Sequence, residues 1–332
     1  MVDSIVKKIV DGDVRVAARL IRDIDDGTPG TREILKALHR HTGKAYIIGI
    51  TGAPGVGKST VVDQMVSGLR TKGKTVGVLA VDPTSPFSGG AILGDRIRMQ
   101  RHSLDKGVFI RSLATRGQFG GLTQSTRSAI DIMDAMGKDY IIVETVGVGQ
   151  DEVDIARSAH TTIIVVVPGM GDHIQAIKAG IFEVGDIFVV NKSDRPDAEK
   201  TLFDLKAMIE IASKKFKKEG WDPPILMAEA VNNKGILELL HEIENHRKSK
   251  KALSRESIIR YKKTMARFEL IDMIKSRFIE DTLNQIANSH EFKKYLDCII
   301  EGTKDPYSAC DELLSANHIG INPKNLNISC TR

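Results

Sequence analysis

Apolar residues follow two rhythms along the chain. Residues 4 to 25 carry Ile5, Ile9, Val16, Leu20 and Ile24 with polar residues between them, close to helical spacing. The segment "DDGTPGT" interrupts that pattern, and a second helix is expected over residues 31 to 41. From residue 45 the rhythm changes to short apolar runs separated by helical stretches. The runs are "AYIIGI", "TVGVLAV", "GVFIRSL", "YIIVETV", "TTIIVVVP", "DIFVVN" and "PILMAEA". Val- and Ile-rich runs without polar alternation suit parallel strands covered on both faces. An α/β fold with a doubly wound, mostly parallel sheet and helical extensions at both ends is therefore expected.

After about residue 236 the pattern is helical. "ILELLHEIENHRKSKKAL" leads into a segment with Met265, Phe268, Ile271, Ile274 and Phe278 three or four apart. That stripe needs a partner surface, in this chain's own domain or in a second copy. The expected division is a helical extension over 1–43, a central domain over 44–250 and a helical dimerisation region over 251–332.

Chemistry concentrates at the ends of the runs. "GAPGVGKST" follows the first run and precedes the helical "STVVDQMVSGLR", the context that GxxxxGK[ST] demands. Its glycines let backbone N–H groups turn inward, and the helix start adds partial positive charge, so the loop forms an anion cradle. The candidate nucleotide contacts are Gly52, Ala53, Pro54, Gly55, Val56, Gly57, Lys58, Ser59 and Thr60. Lys58 is expected to reach the β- and γ-phosphates and the Ser59 hydroxyl to ligate Mg²⁺.

"NKSD" closes the run "DIFVV". An ionised Asp194 can accept hydrogen bonds from guanine N1–H and its 2-amino group, whereas adenine would leave the carboxylate unpaired. GTP and GDP are therefore the expected ligands. Lys192 is expected along the base plane and Asn191 as a tether between loops; Glu229, Ala230 and Val231, after the last run, are candidate base contacts.

Hydrolysis needs Mg²⁺ oriented by carboxylates and a water in line with the γ-phosphate. Asp82, Asp95 and Glu144 stand at strand ends or in the loops after them and join Ser59 as candidate metal residues; each also reads as a cap or a loop charge. Lys58, Glu144 and Asp95 are the candidate catalytic residues. Gly147 can offer its N–H to a γ-phosphate, and Gln150 resembles a water-orienting glutamine by type. Arg98, Arg116 and Lys178, in or beside glycine-rich loops, are candidates to stabilise transition-state charge or to form surface salt bridges.

Composition changes this picture little. The 332 residues carry 48 basic and 43 acidic side chains, net +5, with the signs interspersed, so no nucleic-acid surface is demanded. Cys298, Cys310 and Cys330 lack CxxC spacing, against a disulfide framework or a thiolate zinc site. No run of 18 apolar residues occurs, and a soluble protein of the reducing cytoplasm, without a membrane partner, is expected.

Together, "GAPGVGKST", "DPTSPFSGGAILGDRIRM", "ATRGQFGGL", "ETVGVGQDEVD", "PGMGDHIQAIKAGIFEVGDIFVVNKSD" and "DPYSACDELL" resemble the MeaB-type GTPases associated with methylmalonyl-CoA mutase, a group once labelled arginine/ornithine transport kinases. The resemblance runs from about residue 12 to 316. It implies a homodimeric G-protein chaperone that binds an adenosylcobalamin-dependent acyl-CoA mutase, gates loading of intact cofactor and assists release of inactivated cofactor. It also implies that Asp82, Asp95 and Glu144 serve the metal and hydrolysis site, and that residues 169–180 form a switch facing the mutase. Gln118 stands where the family often has His, and Glu229 where it usually has Ser. Two other classes fit less well. A P-loop kinase would need an acceptor pocket with its own base, and nickel-insertion GTPases tend to carry His runs or CxxC pairs that this chain lacks. Direct cobalamin binding is not expected, because no DxHxxG-like signal is present.

Overall fold

The computed structural model of the chain describes residues 1–82, 99–114, 124–145, 158–169, 184–215, 220–252, 254–287 and 289–316. Within them each of the seven apolar runs supplies a strand: β1 Tyr46–Thr51, β2 Val76–Asp82, β3 Val108–Ala114, β4 Tyr140–Thr145, β5 Thr161–Val166, β6 Ile187–Val190 and β7 Ile225–Met227. All pair in parallel, in the order β3-β2-β4-β1-β5-β6-β7. The chain works outward from β1 to one edge, returns through β4, and then builds the other side. Both neighbours of β1 thus enter from later in the sequence, and such a reversal opens a crevice at the carboxyl ends of the strands.

The strands are apolar on both faces because both faces are covered. In β4, Tyr140 and Ile142 join one core cluster while Ile141 and Val143 join another, as the two-residue period of a strand requires. The first cluster is completed by α4, Lys58–Thr71, and by Leu239, Leu240 and Ile243 of a later helix, Ile236–Ala252. The second takes side chains from α1 Val2–Val10, α2 Val14–Asp25, α3 Thr31–Leu38 and α5 Gln124–Ala135. A third, smaller cluster sets Leu205 of α6, Ala198–Lys215, against Ile164, Val166, Phe188 and Val190.

The pattern over residues 4 to 25 reads as one continuous helix, but the structure has two. Asp13 ends the run by capping α2, accepting from the N–H groups of Arg15 at 2.9 Å and Val16 at 3.0 Å. An aspartate that satisfies two otherwise orphaned amides favours starting a new helix over continuing the old one. The expected helix over 31–41 is α3 followed by a short 3₁₀ turn at His39–His41. Asp134 of α5 then fixes the approach to β1, accepting from the main chain of Gly43 at 2.6 Å, Lys44 at 3.2 Å and Ala45 at 2.9 Å.

Two compact units divide the chain, Met1–Tyr261 and Lys262–Arg332. Ile236–Ala252 is α7, and α8, Arg255–Ala287, runs across the boundary. The second unit continues with α9 His290–Ile300 and α10 Pro306–Ala316. Pro306 occupies the first turn of α10, where no N–H partner is lost, and the preceding Asp305 accepts from Ser308 N–H at 2.9 Å. Tyr295 and Lys304 both donate to Glu312 at 2.6 Å, and the Lys304 ammonium lies 4.6 Å from the centre of the Tyr295 ring. Among the described residues no helix is long and apolar enough to cross a membrane.

Candidate nucleotide site

β1 ends at Thr51 and α4 begins at Lys58, leaving six residues to turn the chain at the carboxyl edge of the sheet. Its three glycines, all at positive φ, make that turn possible, and two of them also lie where no side chain fits. Gly52 has φ +143°, and a Cβ there would stand 2.1 Å from the Val165 carbonyl oxygen. Gly57 has φ +93°, and its Cβ would meet the Asn191 side-chain nitrogen at 2.5 Å. Any other residue would combine left-handed backbone strain with a collision.

Lys58 and Ser59, the first residues of α4, are buried, as is Glu144 near the end of β4. The Lys58 ammonium donates to the carbonyls of Gly52 at 2.6 Å and Ala53 at 3.0 Å, folding back over the loop that precedes it. Ser59 donates its hydroxyl to Glu144 Oε1 at 2.7 Å. Glu144 lies in register with Ile50 of β1 on one side and Ala80 of β2 on the other, so it occupies the centre of the sheet at its ligand-facing edge. Next to it, Thr145 donates to the Thr51 hydroxyl at 3.0 Å and links the adjoining strand ends. Within the loop Val56 is buried, Ala53 half-buried, and Pro54 and Gly55 exposed; Thr60 is half-buried in the first turn of α4.

The loop after β6 is fastened to the same turn. Asn191 donates from its amide to the Val56 carbonyl at 2.8 Å and accepts from Ala230 N–H at 3.1 Å. Lys192, itself at φ +57°, donates its ammonium to the Gly55 carbonyl at 2.8 Å. Ser193 N–H donates to Ala228 O at 3.0 Å, and Asp194 is exposed. Lys58, Ser59 and Glu144 are thus brought together beside the loop 52–57, while Asn191, Lys192 and Ala230 join that loop to the segment after β7. Val231 stands 77% exposed at the rim. Asp82 closes β2, with its side chain outside the described residues; Asp95, Gly147, Gln150, Arg98, Arg116, Gln118 and Lys178 lie outside them altogether. Among the described residues no cluster of three His, Cys, Asp or Glu side chains could hold a metal. A metal-binding donor set built from the described residues alone would be the Ser59 hydroxyl with the Glu144 carboxylate.

Sequence spacing alone did not single out Lys234. It forms an ion pair with Glu229 at 2.7 Å. That pairing, with Asn232 adding a second donor, holds the Glu229 carboxyl below the usual carboxylate range and raises the Lys234 ammonium. At the opposite edge of the sheet the phenols of Tyr46 and Tyr140 are both pushed up to about 12, burial being the main cause; Tyr46 bonds to Thr161 at 2.6 Å and Tyr140 donates to Glu244.

A chain with this loop, this sheet order and this joint matches the family profile of the methylmalonyl-CoA mutase-associated GTPase MeaB over residues 17–286. The chain belongs to the MeaB family of GTPases. It is 46% identical over 314 residues to a protein of Pyrococcus abyssi named as a GTPase, covering 95% of this chain and 96% of the relative. It is also 34% identical over 265 residues to the GTPase ArgK of Escherichia coli, covering 79% and 78%. A crystal structure described as LAO/AO transport system kinase superposes with a TM-score of 0.67 at 24% identity, over 96% of this chain and 97% of that one, which bears on the fold alone. As a MeaB-family member the protein is a GTPase, and the MeaB profile takes in β1 to β7 and nearly all of α8.

Proposed function

We propose that this MeaB-type GTPase is a chaperone for an adenosylcobalamin-dependent acyl-CoA mutase of the methylmalonyl-CoA mutase kind, using GTP to gate cofactor loading and the release of inactivated cofactor. The observation that carries this reading is the family match itself, whose description names the association with that mutase. Supporting it, the loop 52–57 and the segment 191–194 are hydrogen-bonded into one assembly, so a ligand's phosphates and base would be sensed together.

In this reading Lys58 and the amides of residues 52–60 bind the triphosphate, and Asp194 accepts from guanine. Ser59 and Glu144, with the strand-end Asp82 and with Asp95, would hold Mg²⁺, which supplies charge neutralisation at the phosphates when bound. Glu144, buried and hydrogen-bonded to Ser59, would also orient a water. Catalysis that depends on positioning is slow until every part is ordered, so a client that orders the loops would accelerate it.

The helices after residue 251 are proposed to pair two copies of the chain. Of the apolar stripe on α8, Ile274 and Phe278 are exposed and Met265 and Ile271 half-buried, which supports an apolar surface that a second copy could cover. The test of the central proposal is to mix the protein with an adenosylcobalamin-dependent acyl-CoA mutase and follow GTP turnover and cofactor loading. Faster turnover and GTP-dependent loading are expected; no binding and unchanged rates would reject the chaperone reading while leaving the GTPase intact.

A further inference from the structure

The loop after β7 is closed twice over. Glu229 N–H donates to Lys234 O at 3.1 Å and Lys234 N–H to Glu229 O at 3.2 Å, an isolated antiparallel bridge between residues five apart. The side chains of the same two residues repeat the closure, with Lys234 Nζ 2.7 Å from Glu229 Oε2, and Asn232 donates to the other carboxylate oxygen. Between them a 3₁₀ turn, Ala230–Asn232, carries the amide that Asn191 accepts.

Exposed ion pairs add little to global stability, and Lys234 is largely exposed, so this arrangement is not explained by holding the fold together. Its location supplies a better reason. The closed loop touches the guanine-reading segment at two points, Ala230 N–H to Asn191 and Ser193 N–H to Ala228 O. The Asp194 carboxylate is also within electrostatic reach of the Lys234 ammonium and helps to hold its proton.

We propose that the Glu229–Lys234 clip is a positioning device for purine recognition, fixing the 228–234 loop so that Asn191, Ala230 and Asp194 keep one arrangement and favour guanine over adenine. The inference rests on the reading of Asp194 as the guanine acceptor. Neither Glu229 nor Lys234 needs to touch the ligand; they act through the groups they hold. The clip also explains how a chain with Glu at position 229 can dispense with a small hydroxyl residue there: the carboxylate is turned onto Asn232 and Lys234.

The test uses the full chain and its Glu229→Ala, Lys234→Ala and Lys234→Arg variants, titrated with fluorescent GTP and ATP analogues. Each alanine variant is expected to weaken GTP about three- to five-fold, the size of a lost exposed ion pair, with a smaller effect on ATP. The GTP-to-ATP ratio therefore falls, without a shift in thermal midpoint, and Lys234→Arg restores it. High salt should shrink the difference between wild type and the alanine variants. An unchanged ratio in both alanine variants, beside a wild-type chain that prefers GTP, overturns the clip alone. A wild-type chain that binds ATP as tightly as GTP overturns both the clip and the guanine reading beneath it.

Discussion

Ser59 and Glu144 stand 85 residues apart in sequence, yet the serine hydroxyl donates to the glutamate across 2.7 Å, joining the first turn of α4 to the end of β4. Both are buried, so the contact excludes bulk water and fixes the direction of the carboxylate. Replacing Glu144 with Ala should reduce GTP turnover on the order of a hundredfold, the scale of a lost proton-handling or water-orienting group. Phosphate release under saturating GTP measures it, and a rate equal to wild type would remove Glu144 from the reaction.

Lys58 holds two carbonyls of the loop as well as being the expected partner of the phosphates. Lys58→Ala should weaken GTP and GDP about ten- to a hundredfold, as expected for losing charge-assisted hydrogen bonds. Calorimetric titration with each nucleotide provides the comparison, and full retention of affinity would show that the loop binds without its lysine.

Gly52 and Gly57 should fail differently. Gly52→Ala drives a Cβ against the main-chain carbonyl of Val165, which cannot move without distorting β5, and a loss of about 3 kcal/mol or more is expected in urea unfolding. Gly57→Ala clashes closely only with the Asn191 side-chain nitrogen, which can swing aside. It should cost about 1–2 kcal/mol of backbone strain, with a larger proportional loss of nucleotide affinity because Asn191 releases Val56 and Ala230.

Tyr46 and Tyr140 make stability alkali-sensitive. Their folded-state values, pushed up to about 12, lie above the ordinary phenol value near 10, so the folded chain keeps protons that the unfolded chain gives up. The associated stability is complete below pH about 10 and is lost as pH rises from there towards about 12, at no more than about 1.4 kcal/mol per pH unit for each phenol. Denaturant midpoints across that window should fall less steeply for Tyr46→Phe than for wild type.

If α8 pairs two copies, charge on its exposed stripe should separate them. Ile274, 59% exposed, and Phe278, 52% exposed, can be changed to Glu with little cost to the single chain. Light scattering coupled to gel filtration is expected to show a dimer for wild type and a monomer for the double variant, and equal masses would dismiss this surface as the interface.

Much of the fold was legible because its signals are local. Seven predominantly apolar runs mark the seven strands, and the loop 52–57 can be placed because a strand and a helix must flank it. What depends on distant pairing was not legible. No periodicity says that β4 inserts between β1 and β2, and hence that Glu144 meets Ser59. The break at Asp13 was hidden because apolar spacing continues across it, while the capping bonds that interrupt the helix come from one polar side chain. Lys234 is hidden in the sequence for a related reason: a lone lysine after two asparagines reads as a solvated turn, and only the fold bridges it to Glu229.

Asn191 and Lys192 clasp the carbonyls of Val56 and Gly55, so the stretch proposed to read a base and the stretch proposed to wrap phosphates are tied to each other. A guanosine fragment and a pyrophosphate fragment should then bind with mutual reinforcement, each bearing part of the ordering cost for the other, and intact nucleotide should be worth more than the sum of its halves.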